Sequence, residues 1–297
     1  MKKVTKAVIP AAGFGTRMLP FAKAVPKELI PLVDAPVLQY VVEEAVAAGA
    51  EDILIIISHG KEALIRHFEP AEDLERRLAE ANKTGLLARM QKLNSLARIQ
   101  FVYQKELKGL GDAVSLASGF AGSDPCLVLL GDTVMDSSVA ESVAGQLVRV
   151  YEKYSSSVIA LEKVPVEKIS SYGIAAGEVL EPGILRLTDL VEKPSPEDAP
   201  GDLAVAARYL FTPGIFSALS GTVAGLHNEI QLTDAIVKLM KTETVCGCQI
   251  AGKRYDLGTP AGFVKANVEF ALRRPELREV LGRQIGELLK NQNITEL

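Results

Sequence analysis

Residues 4–18 read Val-Thr-Lys-Ala-Val-Ile-Pro-Ala-Ala-Gly-Phe-Gly-Thr-Arg-Met. Residues 4–10 are short, apolar and rich in β-branched side chains, the pattern of a first strand. A loop containing Gly13 and Gly15 follows and runs to about Pro31. Open α/β sheets bind ligands at loops that leave a strand in this way. The stretch therefore points both to a fold class and to a place for chemistry.

Outward from it, strand and helix patterns alternate. Asp34-Ala35-Pro36 reads as a helix start with Asp34 as its cap. Leu38, Val41, Val42, Ala45 and Val46 supply one apolar face, and Gly49 ends it. Residues 53–57 form a continuous apolar run, as a strand buried on both faces of a parallel sheet requires. Helices are expected at 61–67 and 72–96, a strand at 99–103, a helix from about Gly111 and a strand at 126–130. Shorter strands are expected at 158–161, 173–177 and 184–187, and another at 203–210. Residues 194–201, Pro-Ser-Pro-Glu-Asp-Ala-Pro-Gly, give the strongest loop signal and are read as a surface loop within one domain. After Gly262 the pattern is helical to about Asn291. The alternation indicates a layered α/β sheet, and no internal repeat interrupts it.

Two known glycine loops do not fit. Gly13-Phe14-Gly15 begins like the dinucleotide-binding G-x-G-x-x-G, but Met18 holds the third glycine position. Pro20, Pro26 and Pro31 also prevent a helix from starting there. Residues 247–253 spell G-x-x-x-x-G-K, but Arg254 replaces the Ser or Thr of a P-loop. What remains is a loop whose amides can cradle phosphate oxygens. Arg17 adds a planar fork, and Lys23 and Lys27 add point charges. A tight turn with solvated lysines would explain the glycines alone. The arginine, the two lysines and the lack of any acid favour phosphate binding.

At 297 residues and 48% hydrophobic content, the chain can bury its own core. Cys126, Cys246 and Cys248 are too few for a disulfide framework, and Cys246-Gly247-Cys248 lacks the second ligand pair that zinc needs. No segment reads as a signal peptide or a bilayer span, so a reducing cytoplasm is expected. The net charge of −4 argues against a general nucleic-acid or membrane-surface binder. Residues 1–27 hold Lys2, Lys3, Lys6, Arg17, Lys23 and Lys27 and no acid, which leaves −10 for the remainder. His59, His67 and His227 show no metal spacing, and no nucleophile elbow is present. Asp132 follows the apolar run 126–130, where a carboxylate can hold Mg²⁺ against phosphates. A plain turn aspartate would look the same.

The run from Ala11 to Glu44, AAGFGTRMLPFAKAVPKELIPLVDAPVLQYVVEE, closely resembles the opening of bacterial UTP–glucose-1-phosphate uridylyltransferases, in the sugar-nucleotidyltransferase family. The resemblance continues in order through Gln104 with Gly109-Leu110-Gly111, Tyr172-Gly173, Val191-Glu192-Lys193-Pro194, residues 228–236 and Arg254-Tyr255-Asp256-Leu257-Gly258. Thymidylyltransferases share the glycine loop but usually carry a Ser-Lys-Gln version of Pro26-Lys27-Glu28. The resemblance implies a three-layer α/β/α Rossmann-like nucleotidyltransferase fold with a mixed, mostly parallel central sheet. The catalytic domain would span 1–261, and a helical segment at 262–297 would serve a homo-oligomer.

The implied reaction joins UTP and glucose 1-phosphate, with Mg²⁺, into UDP-glucose and pyrophosphate. The attacking oxygen is already anionic, so the chemistry asks for positioning and charge neutralisation rather than a base. Arg17, Lys27, Asp132 and Lys193 are the implied catalytic groups. Ala11, Ala12, Gly13, Gly15, Lys27, Gln104 and Gly109 would bind the nucleotide, Gln104 reading the uracil. Gly173, Glu192 and Lys193 would bind the sugar phosphate, and Asp132 and Asp256 the metal. Departures from the family pattern include Ala22 for a common Thr, Asp112 where His is frequent, and Thr133 where some relatives have a second acid. Alternatives are a thymidylyltransferase, another sugar-1-phosphate nucleotidyltransferase, or a non-catalytic nucleotide-binding relative. No nucleic-acid or membrane partner is expected. Leu277, Val280, Leu281, Ile285, Leu288 and Leu289 give the last helix an apolar face for the domain or a second subunit.

Overall fold

The computed structural model describes residues 1–223, 225 and 229–291. His227, Asn228 and the end of the expected C-terminal segment, 292–297, lie outside the described residues. The main sheet contains β1 (Lys6–Pro10), β2 (Asp52–Ile57), β3 (Arg98–Tyr103), β4 (Cys126–Leu129), β5 (Ser157–Lys163), β6 (Gly173–Glu181), β7 (Ile184–Glu192), β8 (Leu203–Phe211) and β9 (Val245–Gln249). Their spatial order is β3-β2-β1-β4-β8-β5-β9-β7-β6, with a further β8–β6 pairing. β7 and β8 run against the other strands, so the sheet is mixed.

Alternation along the first strands explains their continuous apolar character. Ala7 and Ile9 of β1 and Ile53, Ile55 and Ile57 of β2 pack with Leu38, Val41, Val42 and Ala45 of the helix Val37–Ala47. Val8, Leu54 and Ile56 face the other way, onto Ala113 and Val114 of the helix Leu110–Ser115. Each residue of such a strand is buried whichever way it points, so no polar position survives. β1 pairs in parallel with β2 on one side and β4 on the other. The glycine loop therefore leaves the sheet where the strand order reverses, a natural crevice.

Several sequence expectations are corrected. Asp34 does not cap the first helix; Pro36 is the residue before it, and no side chain caps that end. Asp34 instead lies in a small hairpin, Pro31–Leu32 with Ala35–Pro36, and pairs with Arg89 and Arg274. The expected helix 72–96 is two, Glu72–Glu80 and Thr84–Asn94, broken where Asn82 takes a left-handed φ of 52°. The strands at 173–177 and 184–187 are longer than expected and form one hairpin, β6–β7, turning at Gly183.

A second ribbon, Thr133–Ser137 with Gly252–Asp256, has no counterpart in the sequence reading. Its Val134 and Tyr255 pack with Leu32, Val37, Leu257 and Ala266 of the helix Pro260–Arg273. That helix starts at Thr259, whose hydroxyl accepts from the Gly262 N–H at 3.2 Å. The last helix, Pro275–Asn291, packs on the preceding one and buries none of its residues; Val280 is 51% exposed and Leu288 60%.

Candidate active site

The glycine loop is held from beneath. The Ala11 N–H continues the sheet by donating to Ile56 O at 2.8 Å. The Lys61 ammonium donates to the carbonyls of Ala11 and Gly13 at 2.7 Å each, and the Ser58 hydroxyl to that of Ala12 at 2.8 Å. With the carbonyls turned inward, the N–H groups of Ala12, Gly13, Phe14 and Gly15 have no acceptor among the described residues. Free amides in such a loop can receive an anion. Lys61 is itself buried and meets the buried Glu28 carboxylate at 2.8 and 2.9 Å. Burial raises the Glu28 pKa and lowers that of Lys61, and each is the other's main source of charge stabilisation. Gly15 sits at a φ of 68°, and a Cβ there would stand 3.1 Å from the Lys27 side chain. Glycine thus lets Lys27 run close under the loop.

Lys27 ends on Asp132, Nζ to Oδ2 at 2.5 Å, across the mouth of the crevice. Burial disfavours both charges. At Asp132 the Lys27 ammonium outweighs that effect and leaves the pKa lowered; at Lys27 the Asp132 and Glu28 carboxylates do the same and leave it raised. The turn carrying Asp132 is braced by a fully buried Arg208. Its guanidinium donates to the carbonyls of Ala207 at 3.0 Å, Leu130 at 3.4 Å and Thr133 at 2.7 Å, and to Glu44 at 2.7 and 3.0 Å. Two of these five hydrogen bonds, to Leu130 and Thr133, hold the turn on either side of Asp132, and the other three anchor the fork itself. The ribbon register then sets Asp256 opposite Thr133. Asp256 Oδ1 accepts from the Gly258 N–H at 2.9 Å and Oδ2 from Arg17 at 3.1 Å.

Two cavities meet at this point. One, of about 490 Å³, lies behind the glycine loop and is lined by Ala11, Ala12, Gly13, Gly15, Lys27, Gln104 and Gly109. The other, of about 510 Å³, is lined by Arg17, Gly173, Glu192, Lys193 and Asp256. Asp132, Leu110 and Leu130 line both. Apart from Lys23, every site residue expected from the sequence thus faces one cavity or the other. Gln104 is buried and donates through Nε2 to Asp112 at 2.7 Å and to Gly109 O at 3.2 Å. Ala11 faces the cavity with both backbone groups already bonded, so it contributes apolar wall.

In the second cavity Glu192 accepts from the Thr233 hydroxyl at 2.6 Å. Lys193 takes a φ of 46°, its N–H bonded to Tyr172 O, and its ammonium stands 3.7 Å from Glu192. Such a left-handed lysine is uncommon. The Arg254 guanidinium lies 4.1 Å above the Tyr172 ring and pairs with Glu162.

The basic opening divides in two. Lys2 and Lys6 pair with Asp124 and Lys3 with Glu51, so they serve the end of the strands away from the glycine loop. Lys23 is exposed and lines neither cavity. His59 stacks on Tyr103 and His67 meets Gln39, both packing roles. The three cysteines are free and buried. Lys61, Arg208 with Glu44, Thr233 and Arg254 are site residues that the sequence did not single out. Thr233 and Arg254 lie inside motifs that carry the resemblance, without a role of their own there; nothing local distinguishes Lys61 from a surface lysine. Among the described residues no group of three His, Cys, Asp or Glu could hold a metal; the carboxylates that line the second cavity are Asp132, Glu192 and Asp256.

A strand-edge glycine loop, paired cavities and a carboxylate between them define a nucleotide-handling α/β enzyme, and the family model for nucleotidyl transferases matches residues 6–272. The chain belongs to the nucleotidyl transferase family. Within it, the chain is 45% identical to the UTP–glucose-1-phosphate uridylyltransferase of Bacillus subtilis, covering 99% of this chain and all of that one. A solved UDP-glucose pyrophosphorylase complexed with UDP-glucose superposes with a TM-score of 0.84 at 39% identity, covering 91% of this chain and all of the other. A UTP-bound UGPase from Acinetobacter baumannii gives 0.88 at 34% identity, covering 96% and 99%.

Proposed function

We propose that the chain transfers the uridylyl group of UTP to α-D-glucose 1-phosphate, giving UDP-glucose and pyrophosphate. The observation that carries this reading is the junction of two cavities at Asp132, with Lys27, Arg17 and Lys193 around it. The names of the similar proteins support the choice of substrates.

In this reading the base reaches Gln104 and Gly109, and the phosphates meet the free amides of Ala12, Gly13 and Gly15. Arg17 and Lys27 screen the triphosphate. In the second cavity Glu192 accepts sugar hydroxyls, Lys193 meets the sugar's phosphate, and Gly173 allows close approach. A phosphate oxygen of glucose 1-phosphate attacks the α-phosphorus in line, the bond to the bridging oxygen breaks, and pyrophosphate leaves with that electron pair. No proton has to move, so the residues align the groups and neutralise their repulsion.

Asp132 and Asp256 would hold Mg²⁺. They open on one cavity, Asp132 just before the ribbon and Asp256 at its end opposite Thr133, and an ion that keeps several waters and takes phosphate oxygens needs only one or two carboxylates. Bound there, it would supply further charge neutralisation between the phosphates.

We read the sheet, with helix contacts on both faces, as a three-layer α/β/α Rossmann-like arrangement. Residues 1–261 form the catalytic domain and 262–297 a helical segment that serves a homo-oligomer. The uncovered apolar positions of the last helix support that role. Three reduced cysteines, and no described helix long and apolar enough to cross a membrane, agree with a cytoplasmic enzyme.

Pyrophosphate release across four nucleoside triphosphates and several sugar 1-phosphates tests the reading. UTP with glucose 1-phosphate should give the highest kcat/KM, and a chelator should abolish it. No release from any pair would refute the enzyme; a clear preference for dTTP would refute only the uridylyl part.

A further inference from the structure

Asp112 lines neither cavity, yet it meets the one amide placed to read a base. Its Oδ2 accepts one hydrogen of Gln104 Nε2 at 2.7 Å, and the Gly109 carbonyl accepts from the same nitrogen at 3.2 Å. An amide nitrogen carries two hydrogens, so Gln104 has none left for a ligand. Its Oε1 receives no hydrogen bond from the described residues, although Gln104 is only 4% exposed and faces the cavity. Turning the amide over would set that oxygen against a carboxylate and a carbonyl. Neither can donate, so charge fixes the orientation.

We propose that Asp112 locks Gln104 with its carbonyl oxygen toward the base, and that this lock makes the site select uracil over cytosine. Uracil offers an N3–H between O2 and O4, and Oε1 accepts it. Cytosine has a lone pair at N3, which the same oxygen repels. Thymine shares uracil's edge, so the lock separates pyrimidines by protonation at N3 and not by a methyl group. Asp112 is a positioning residue, since it acts through Gln104. The inference rests on the reading in which Gln104 meets the base.

The test is equilibrium binding of UTP and of CTP, each alone, to the full-length wild type, D112N and D112A. Asparagine keeps the size and can face the amide either way round; alanine removes the acceptor. The wild type should hold UTP well above CTP, and the UTP-to-CTP affinity ratio should fall about tenfold or more in both variants, the worth of a charge-assisted hydrogen bond. The two ligands share ribose and triphosphate, so general loosening of the fold does not move the ratio. A wild type that binds both equally, or a ratio unchanged in both variants, overturns the lock. Pyrophosphate release measured in parallel separates the two readings. A shifted ratio without wild-type turnover upholds the lock and refutes catalysis. Turnover with an unshifted ratio refutes the lock alone.

Discussion

The cavity behind the glycine loop offers a row of unbonded backbone amides, whereas the cavity beside Glu192 offers charged side chains. The first presents amides whose direction is set by what lies under them, the buried Lys61–Glu28 pair. The second presents Glu192, Lys193 and Arg254, each held by a neighbour at its own level. Backbone recognition suits phosphates and a ribose that every nucleotide carries. Side-chain recognition suits the part of the reaction that differs between sugars. A substitution beneath the loop should therefore act through the fold, and one at Glu192 through a single substrate.

The largest effect is expected at the point the regions share. Asp132→Asn keeps the shape and removes the charge that faces both cavities, and kcat should fall by at least about a thousandfold. A residual rate within tenfold of wild type would take Asp132 out of the chemistry.

Next comes the support under the backbone wall. Lys61→Met leaves Glu28 buried without a partner, which should cost about 3–5 kcal/mol in denaturant unfolding. Replacing both with apolar residues, Lys61→Met with Glu28→Leu, should recover most of that loss. A double variant no more stable than the single one would contradict the pairing.

On the side-chain wall, Glu192→Gln weakens acceptance from sugar hydroxyls. It should raise KM for glucose 1-phosphate about tenfold and leave KM for UTP nearly as it was. Equal shifts in both constants would erase the distinction between the regions.

The smallest effect concerns pH. The lowered Asp132 pKa makes its contribution present above the ordinary carboxylate range and lost only as pH falls through the depressed value. The raised Lys27 pKa makes its contribution lost only as pH rises past the elevated value. The stability difference between wild type and the double variant Lys27→Met with Asp132→Asn should thus be flat from about pH 5 to pH 9 in the absence of metal. A slope inside that window would show that one partner titrates there.

The same contrast explains what was legible in the sequence. β1, β2 and β4 announce themselves because strands buried on both faces permit only apolar residues. The glycine loop was legible because no other residue type suits its turn. Every expected site residue but Lys23 faces one of the two cavities, since the ordered motifs cluster in space. What was hidden depends on partners distant in the chain. The ribbon joins Thr133–Ser137 to Gly252–Asp256, and neither segment alternates clearly on its own. Arg208 meets Glu44, and Lys61 meets Glu28, across elements whose proximity only the sheet order creates. Even Asp34, a sound helix cap by type and position, is drawn away by Arg274 and Arg89.

The most direct test of the account follows the α-phosphorus. With UTP labelled at that atom, glucose 1-phosphate and Mg²⁺, all of the transferred label should appear in UDP-glucose, matched one for one by unlabelled pyrophosphate. Label in the released pyrophosphate, or UTP consumed without UDP-glucose, would contradict in-line transfer at the junction of the two cavities.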